Sequence, residues 1–278
     1  MNAPRFSVVV PAHNEADVLG RTLGSLSAQD FPGAVEVLVV DNGSVDSTAG
    51  VARAAGVRVE AEPVLGVCSA RQRGTDRARG QIVVSTDADT VHPPDWLTRI
   101  DAAFCADPDL VAVAGPCRYE DPPGWAAVLP RLGFAAVALA HRMTGRVGYV
   151  TATNVAFRRE GFPGYDTSLT QGGDEVDLLR RLRRQGRVTW DRTNAVRTSS
   201  RRLEQGLAHT LLVSYGYYYA AGHVVNRLAR RRVVGVAPPI RSGDENRVRQ
   251  VRRRWQWVVV GVAALALGRL ARRGRVGG

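Results

Sequence analysis

Short apolar runs alternate with segments of helical spacing through the first ninety residues. Four of the runs have the length and the β-branched composition of buried strands, namely 6–10, 35–40, 57–60 and 81–85. Three helix-like segments lie between them, namely 16–29, 46–55 and 68–79. Strands that alternate with helices in this way join through right-handed crossovers. The pattern therefore predicts an α/β fold with a mostly parallel central sheet flanked by helices. The first strand is predicted to stop at Val10, because Pro11 follows it.

The pattern continues less regularly beyond residue 90. Pro93 and Pro94 begin a predicted helix that runs to about Phe104. The later predicted elements are a strand over 111–114, a long apolar helix over 125–143, a strand over 149–158 and a helix over 174–185.

Charge is divided unevenly along the 278 residues. All 38 basic residues are arginines, and the net charge is +12. Residues 201–278 hold 16 arginines and three acidic residues, a net charge of +13, so the rest of the chain is close to neutral. An excess of positive charge confined to one end predicts a basic appendage that binds a polyanion, either anionic lipid or nucleic acid.

Three cysteines, Cys68, Cys105 and Cys117, are odd in number and lack metal-ligand spacing. They indicate reduced thiols of a cytoplasmic protein and not a disulfide framework. The apolar run near the N-terminus is too short for a signal peptide, so we expect no export by that route.

Polar residues follow the carboxyl end of each early strand. The three clusters are 11–15, 41–46 and 87–89. In open parallel sheets ligands bind outside these ends, so the clusters predict one site at one edge of the sheet. The alternative is that they are ordinary turn residues, because Asp, Asn and Gly are common in turns.

Asp87 and Asp89 are separated by a single residue just after a buried strand. Paired carboxylates of this kind supply the hard oxygen ligands that Mg²⁺ or Mn²⁺ prefers, and such an ion neutralises a departing diphosphate. The predicted cofactor is therefore a divalent cation. The alternative is that the pair has no function, because Asp-x-Asp is common in sequences.

Six stretches, in order, resemble the family 2 glycosyltransferases. They are 7–14 (SVVVPAHN), 39–48 (VVDNGSVDST), 70–74 (ARQRG), 85–97 (STDADTVHPPDWL), 148–162 (GYVTATNVAFRREGF) and 172–182 (GGDEVDLLRRL). The resemblance covers roughly residues 6–200. It implies the GT-A fold of nucleotide-diphospho-sugar transferases, an inverting reaction and a nucleotide-sugar donor.

The resemblance also implies roles for individual residues. Asp41 accepts hydrogen bonds from the base, Glu15 lies near the ribose or base, and Arg71 reaches the base or phosphate. Asp89 and Asp87 hold the metal, and Asp87 also touches the ribose or sugar. The remaining implied contacts to the nucleotide are Pro11, Ala12, Asn14, Gly43 and Ala88, and those to the donor sugar or acceptor are Thr153, Asn154 and Gly173.

The catalytic base is expected in the pair Asp174 and Glu175. The family usually shows Glu before Asp with the second acid as base, whereas here the order is reversed. Glu175 therefore occupies the position of the base, and both residues are kept as candidates. An ionised carboxylate must lie within hydrogen-bond reach of the acceptor hydroxyl. The alternative is that these acids only favour the start of a helix.

Two apolar segments near the C-terminal end raise the question of a membrane. Between Arg254 and Arg269 lie 14 residues, too few to span a bilayer, so 255–275 is predicted to lie in the interface of an anionic membrane. The segment 207–225 is either a second interfacial segment or a helical cap on the domain. The helix predicted over 125–143 is a candidate for binding a lipid acceptor, a hypothesis that burial of the whole helix would contradict.

These observations predict a GT-A catalytic domain over residues 1–205 and a basic helical extension over 206–278. The predicted protein is cytoplasmic, peripheral on the inner face of the membrane, and moves a sugar from a UDP- or GDP-sugar to a hydroxyl of a lipid- or polyprenyl-linked acceptor. A soluble or polysaccharide acceptor and a non-catalytic, membrane-recruited nucleotide-sugar binder are the alternatives. A nucleic-acid partner is disfavoured, because no spaced aromatics or groove-reading elements accompany the arginines.

Overall fold

The alternating pattern of the first ninety residues forms a parallel sheet. A computed structural model of the chain describes residues 3–169, 174–201, 203–210, 212 and 225, and all of these lie in one compact unit. The first four strands are β1 (Phe6–Ala12), β2 (Val35–Asp41), β3 (Arg58–Ala61) and β4 (Ile82–Ser85). β1 pairs with both β2 and β4, and β2 also pairs with β3. The helices between them are α1 (Ala16–Ser27), α2 (Thr48–Ala54) and α3 (Val67–Arg77).

Three later strands complete a seven-stranded sheet of order β3-β2-β1-β4-β8-β6-β9. They are β6 (Leu110–Ala114), β8 (Val155–Arg158) and β9 (Arg187–Trp190). β8 runs antiparallel to both β4 and β6, and the other pairings are parallel. The predicted α/β fold with a mostly parallel sheet is confirmed.

A second, three-stranded sheet was not predicted. It has the order β5-β10-β7, with β5 (Thr90–Val91), β7 (Cys117–Glu120) and β10 (Val196–Ser199). Strands of two to four residues are too short to show a period in the sequence. The sheet matters for the site because β10 pairs with β5 and so brings the chain after Ser199 beside the residues that follow β4.

β1 runs two residues further than predicted, since Pro11 lies inside the strand and pairs with Val40 of β2. The carbonyl of Val9 accepts a hydrogen bond from Thr86, so Val9 and Pro11 both turn their backbone polar groups toward β4. The pairing of β1 with β4 ends at Val9 and Ser85. The N–H that Pro11 lacks would therefore have no strand partner, which is why a proline is tolerated here.

The strand predicted over 149–158 is correct only for its second half. Residues 149–154 form no strand, and the N–H of Asn154 donates to the carbonyl of Thr151 in a turn. The N–H of Thr153 also lies 3.4 Å from the hydroxyl of Thr151. Local hydrogen bonds of this kind compete with the backbone hydrogen bonds of a β-sheet.

Side chains of β1 alternate between two apolar layers, one on each face of the main sheet. Phe6, Val8 and Val10 join the layer covered by α1 and α4 (Trp96–Ala106). Val9 joins the layer covered by α3, α5 (Gly124–Thr144) and α6 (Asp174–Gln185). α3 comes so close to the sheet that a Cβ at Gly74 would lie 2.2 Å from Val9 Cγ1, so only glycine fits there.

α5 is the one described helix that is long and apolar enough to cross a membrane by length and composition. It matches the predicted helix over 125–143, and of its side chains only Ala126 is buried. The last described helix is α7 (Leu207–His209). The predicted segment 255–275, and 207–225 apart from 207–210, 212 and 225, lie outside the described residues, so the domain boundary near 205 stays a prediction.

Candidate functional site

The loops that follow β1 and β2 are tied together by hydrogen bonds. The N–H of Asn14 donates to Ser44 Oγ at 2.8 Å, and Asn14 Oδ1 accepts from the N–H of Val45 at 2.6 Å. The N–H of Glu15 donates to Thr48 Oγ1 at 2.8 Å. Asn14 has a φ of 51°, in the left-handed region where asparagine is tolerated better than most residues. The polar clusters predicted at the first two strand ends therefore lie side by side.

Asp41 is the last residue of β2, opposite Ala12, and its Oδ1 accepts from the N–H of Ser44 at 3.2 Å. Gly43 has a φ of 71°, which suits the tight turn. The buried Asn42 is a residue to which the sequence analysis gave no role. Its side chain donates to the carbonyls of Glu62 and Val64 and accepts from Gly66, so it fixes the loop that leads into α3.

Arg71, Asp87 and Thr153 form one hydrogen-bonded group. Arg71 lies on α3, is 5% exposed, and donates to Asp87 Oδ1 at 2.7 Å. Thr153 Oγ1 donates to the other oxygen, Asp87 Oδ2, at 2.5 Å. Three residues that the sequence analysis assigned to the donor thus converge from α3, from the end of β4 and from the loop before β8. Charge-assisted hydrogen bonds on both oxygens fix the orientation of this carboxylate.

Asp89 is held by residues from the far end of the described chain. Arg201 donates to Asp89 Oδ2 at 2.8 Å and to Glu15 Oε2 at 3.0 Å. The hydroxyl of Thr198, on β10, lies 3.2 Å from Asp89 Oδ1. Burial opposes the charge of Arg201, but the hydrogen bond to Asp89 and the nearby charge of Glu15 raise its pKa above the ordinary value. Sequence reasoning missed Arg201, because it is one of 16 arginines in the basic end and nothing local distinguishes it.

The donor set at Asp87 and Asp89 fits a hard divalent cation. Among the described residues no group of three or more His, Cys, Asp or Glu could hold a metal. Mg²⁺ and Mn²⁺ do not need such a cage, since one or two carboxylates suffice where substrate phosphates and water complete the shell. Because Arg201 shares Asp89, a cation at that oxygen competes with the guanidinium.

Pro11, Ala12 and Ala88 are buried, the first two at the end of β1 and the third between Asp87 and Asp89, and their contact with a nucleotide stays a prediction. The carbonyl of Ala88 accepts from Thr22 Oγ1 of α1 at 2.7 Å, which anchors the turn between the two aspartates. His92 supports the same turn from below, with Nε2 2.8 Å from Thr86 Oγ1. Burial lowers the pKa of His92 to about 3, and the charge of Asp87 opposes that only in part, so the ring is neutral at physiological pH.

Asn154 lies beneath the site and holds the scaffold. Its Oδ1 accepts from Trp96 Nε1 at 2.9 Å, and its Nδ2 donates to the carbonyls of Pro116 and Asn194 at 3.0 and 2.8 Å. The side chain is buried, with its amide engaged at both ends. A contact of Asn154 with the donor sugar or acceptor stays a prediction, whereas the neighbouring Thr153 reaches Asp87.

The candidate base lies at the start of α6. Glu175 is half-buried there, in the first turn of the helix. For Asp174 the structure describes the backbone, which begins α6, and Gly173 lies outside the described residues. The choice between Glu175 and Asp174 stays a prediction.

Comparison with known proteins gives a family and a shared fold. The model of Glycosyl transferase family 2 matches residues 7–164, more than half of the chain. Over 155 residues the chain is 31% identical to an undecaprenyl-phosphate 4-deoxy-4-formamido-L-arabinose transferase of Sodalis glossinidius, covering 52% of this chain and 46% of the relative. Over 132 residues it is 34% identical to a validoxylamine A glucosyltransferase of Streptomyces hygroscopicus, covering 44% and 30%. The chain thus spans less than half the length of these relatives.

Two solved structures share the fold. A mannosyltransferase of Pyrobaculum calidifontis in complex with GDP-Man and Mn²⁺ is 25% identical with a TM-score of 0.61, over 86% of this chain and 67% of that one. Glucosyl-3-phosphoglycerate synthase of Mycobacterium tuberculosis, in complex with Mn²⁺, UDP and its product, is 25% identical with a TM-score of 0.55, over 77% and 79%. The family model, the sequence relatives and the shared GT-A fold together show that the chain belongs to glycosyl transferase family 2.

Proposed function

We propose that the protein transfers a sugar from a UDP- or GDP-sugar to a hydroxyl acceptor, with inversion at the anomeric carbon. The observation that carries this proposal is that Asp41, Asp87 and Asp89 lie at or just after the carboxyl ends of β2 and β4, the two strands that flank β1. Arg71 is hydrogen-bonded to Asp87 there. Open α/β sheets bind their ligands at that edge. The two solved relatives, one with GDP-Man and one with UDP, each with Mn²⁺, support a nucleotide-diphosphate donor.

The residues at this edge suit the parts of such a donor. The carboxylate of Asp41, at the end of β2, accepts hydrogen bonds from the N–H groups of a base. Pro11 and Ala12, at the end of β1, would border the nucleotide with their backbone, and Arg71 fixes Asp87 for contact with the ribose or sugar. Asp89 and Asp87 would hold Mg²⁺ or Mn²⁺, which neutralises the charge that builds on a departing diphosphate.

The carboxylate at the start of α6 removes the proton from the acceptor hydroxyl. Glu175, or Asp174 in its place, accepts the proton of the acceptor hydroxyl as that oxygen bonds to the anomeric carbon. The bond from that carbon to the diphosphate oxygen breaks on the opposite face, and its electron pair leaves with the nucleotide. The configuration inverts, and the proton remains on the carboxylate.

We propose a lipid- or polyprenyl-linked acceptor and a location on the inner face of the membrane. The relative from Sodalis glossinidius is named for undecaprenyl phosphate, and residues 201–278 carry the charge that anionic lipid attracts. The alternative is a soluble acceptor, for which the validoxylamine A glucosyltransferase and the phosphoglycerate enzyme are examples. In either case the proposed catalytic domain ends near residue 205 and the extension covers 206–278.

Calorimetric titration of UDP, GDP and their sugar conjugates, with and without Mn²⁺, tests the donor site. We expect one nucleotide to bind in a metal-dependent manner, and Asp89→Ala to abolish that dependence. Asp109→Ala is the matched control, because Asp109 is an exposed carboxylate outside the site. If no nucleotide binds under any condition, the enzyme proposal fails. Binding of a sugar nucleotide without transfer to any lipid or soluble acceptor would instead favour the non-catalytic alternative.

A further inference from the structure

The outward face of α5 is a continuous apolar stripe. Val128, Leu132, Leu139 and Met143 follow one another at intervals of four, seven and four residues, so they lie on one face of the helix. Their side chains are 54%, 60%, 50% and 75% exposed. Leu129, beside them, is 49% exposed. A contiguous exposed patch of large apolar side chains on a soluble domain marks an interaction surface.

The opposite face of α5 holds the helix against the domain. Phe134 stacks on Trp190 of β9, with ring centroids 5.9 Å apart, and Val137 and Ala138 pack on the same core layer. Ala126 is buried. α5 is therefore attached along its inner side while its outer side is also apolar, a pattern that differs from the polar outer face of an ordinary surface helix.

Arginines border the apolar stripe along one edge. Arg131 follows Val128 by three residues, and Arg142 follows Leu139 by three, so each lies next to the stripe on the helix surface. Both are exposed, and neither forms an ion pair with another described residue. An apolar face edged by cations complements a bilayer with anionic headgroups, because the stems pack on apolar surface while the guanidinium groups reach the phosphates.

A basic pocket of about 260 Å³ adjoins α5. Its walls include Tyr149, Val176 and Leu179 together with three arginines of α6, namely Arg180, Arg183 and Arg184. The ring of Tyr149 lies 6.4 Å from that of Phe134 on the inner side of α5, so the pocket lies beside this helix although no α5 residue forms its walls. Arg183 donates to the carbonyl of Val147, whereas Arg180 and Arg184 form no ion pair within the described part of the chain. The pocket thus offers two exposed cations beside an apolar wall.

We propose that α5 docks the domain on an anionic lipid bilayer, with its apolar stripe in the interface and the arginine pocket of α6 at the level of the headgroup phosphates. The helix lies along the membrane surface and does not cross the bilayer, because its inner side is occupied by Phe134 and Trp190. This assigns docking to an element of the catalytic domain itself.

Docking through α5 also orients the candidate active site, a consequence that rests on the proposed function. Val176, in the pocket wall, directly follows the candidate base Glu175. A domain that lies on the membrane through α5 and this pocket therefore presents the start of α6 to lipid headgroups, where a lipid-linked acceptor carries its reacting group.

Spin labels on the full chain test the docking face. Cys105 is the exposed cysteine, while Cys68 and Cys117 are buried, so Cys105→Ser gives a background for single labels at Leu132→Cys and Val64→Cys. Val64 is the matched control, since at 55% it is as exposed as the residues of the stripe but lies outside α5, in the loop between β3 and α3. On phosphatidylglycerol vesicles we expect the label at 132 to gain oxygen accessibility at a depth of roughly 5–10 Å, and the label at 64 to stay aqueous.

The same labels separate docking by α5 from attachment through the basic end of the chain. A protein that binds the vesicles while the label at 132 stays aqueous would overturn the proposal, and so would absence of vesicle binding or equal immersion of both labels. The double variant Leu132→Asp, Leu139→Asp should weaken partitioning about tenfold or more, and Val64→Asp should leave it unchanged. Donor binding by calorimetry is unaffected by these outcomes, so failure of docking is distinguishable from failure of the proposed function.

Discussion

The two regions that we propose for the donor (the donor side) and for the acceptor (the acceptor side) differ in how their polar groups are satisfied. In the loops after β1 and β4, the side chains of Asn14, Asp87 and Asp89 are held by neighbours from other parts of the chain. On the surface formed by α5 and α6, Arg180 and Arg184 have no ion pair among the described residues, and the apolar stripe faces outward.

The difference reflects the two kinds of partner we propose. A nucleotide is a rigid polar ligand, and preformed hydrogen-bond geometry reduces the cost of ordering the site when it binds. A bilayer surface is fluid and amphipathic, so it requires apolar area and cations in the right places but no fixed hydrogen-bond partners. Four variants test where this division holds.

Glu175→Gln gives the largest expected effect, because it removes the proposed base while leaving the donor side intact. We expect the rate of transfer to fall by about 10²–10⁴, with the donor affinity unchanged. The measurement is steady-state transfer alongside calorimetric binding of the donor. Asp174→Asn is the matched variant. If it, and not Glu175→Gln, causes the loss, the base is Asp174.

Asn154→Ala tests whether this buried residue is scaffold. The change leaves the Trp96 N–H and the carbonyls of Pro116 and Asn194 without their partner, so we expect the free energy of unfolding to fall by about 2–4 kcal/mol. Urea denaturation measures it. Arg192→Ala, at an exposed position nearby, should change stability by less than about 0.5 kcal/mol. Unchanged stability together with weaker donor binding would instead support the predicted contact of Asn154 with the donor sugar.

Arg201→Gln sharpens the description of the donor side. Removing the cation that contacts Asp89 should raise the affinity for Mn²⁺ in the absence of nucleotide by about tenfold, since the guanidinium and the ion compete for one carboxylate. Electron paramagnetic resonance of free Mn²⁺ measures the affinity. Arg197→Gln, an exposed arginine on β10, is the control. Equal affinities in wild type and Arg201→Gln would contradict the competition.

His92→Gln has the smallest expected effect. Because the folded pKa of about 3 lies below the unfolded value near 6.5, the unfolded chain binds a proton first as the pH falls. Stability should therefore be full above pH 6.5 and decline below it. Between about pH 7 and pH 5.5, protonation of His92 in the unfolded chain lowers the free energy of unfolding by about 1 kcal/mol. Urea midpoints at the two pH values should differ less in the variant, and an equal difference would exclude His92 as the cause.

The sequence predicted the donor side better than the rest of the molecule. The order of strands and helices to β4 and the gathering of polar residues at strand ends followed from periodicity and turn chemistry. α6 was placed at its observed limits from its spacing. The short strands β5, β7, β9 and β10 were not predicted, because strands of this length depend on pairing partners that are distant in the chain. The first part of the strand expected over 149–158 contains a turn and no strand for the same reason.

The amino-acid sequence by itself determined the α/β class, the family and the position of Asp87 and Asp89 just after a buried strand, since each depends on residues close together along the chain. The tertiary structure alone decided that Arg201 reaches Asp89 across 112 residues, that Asn154 joins Trp96 to Asn194, and that one apolar face of α5 points outward. Local patterns report backbone preference and period. Which side chains meet, and which face is left uncovered, is fixed only when the sheet closes and remote segments pack against each other.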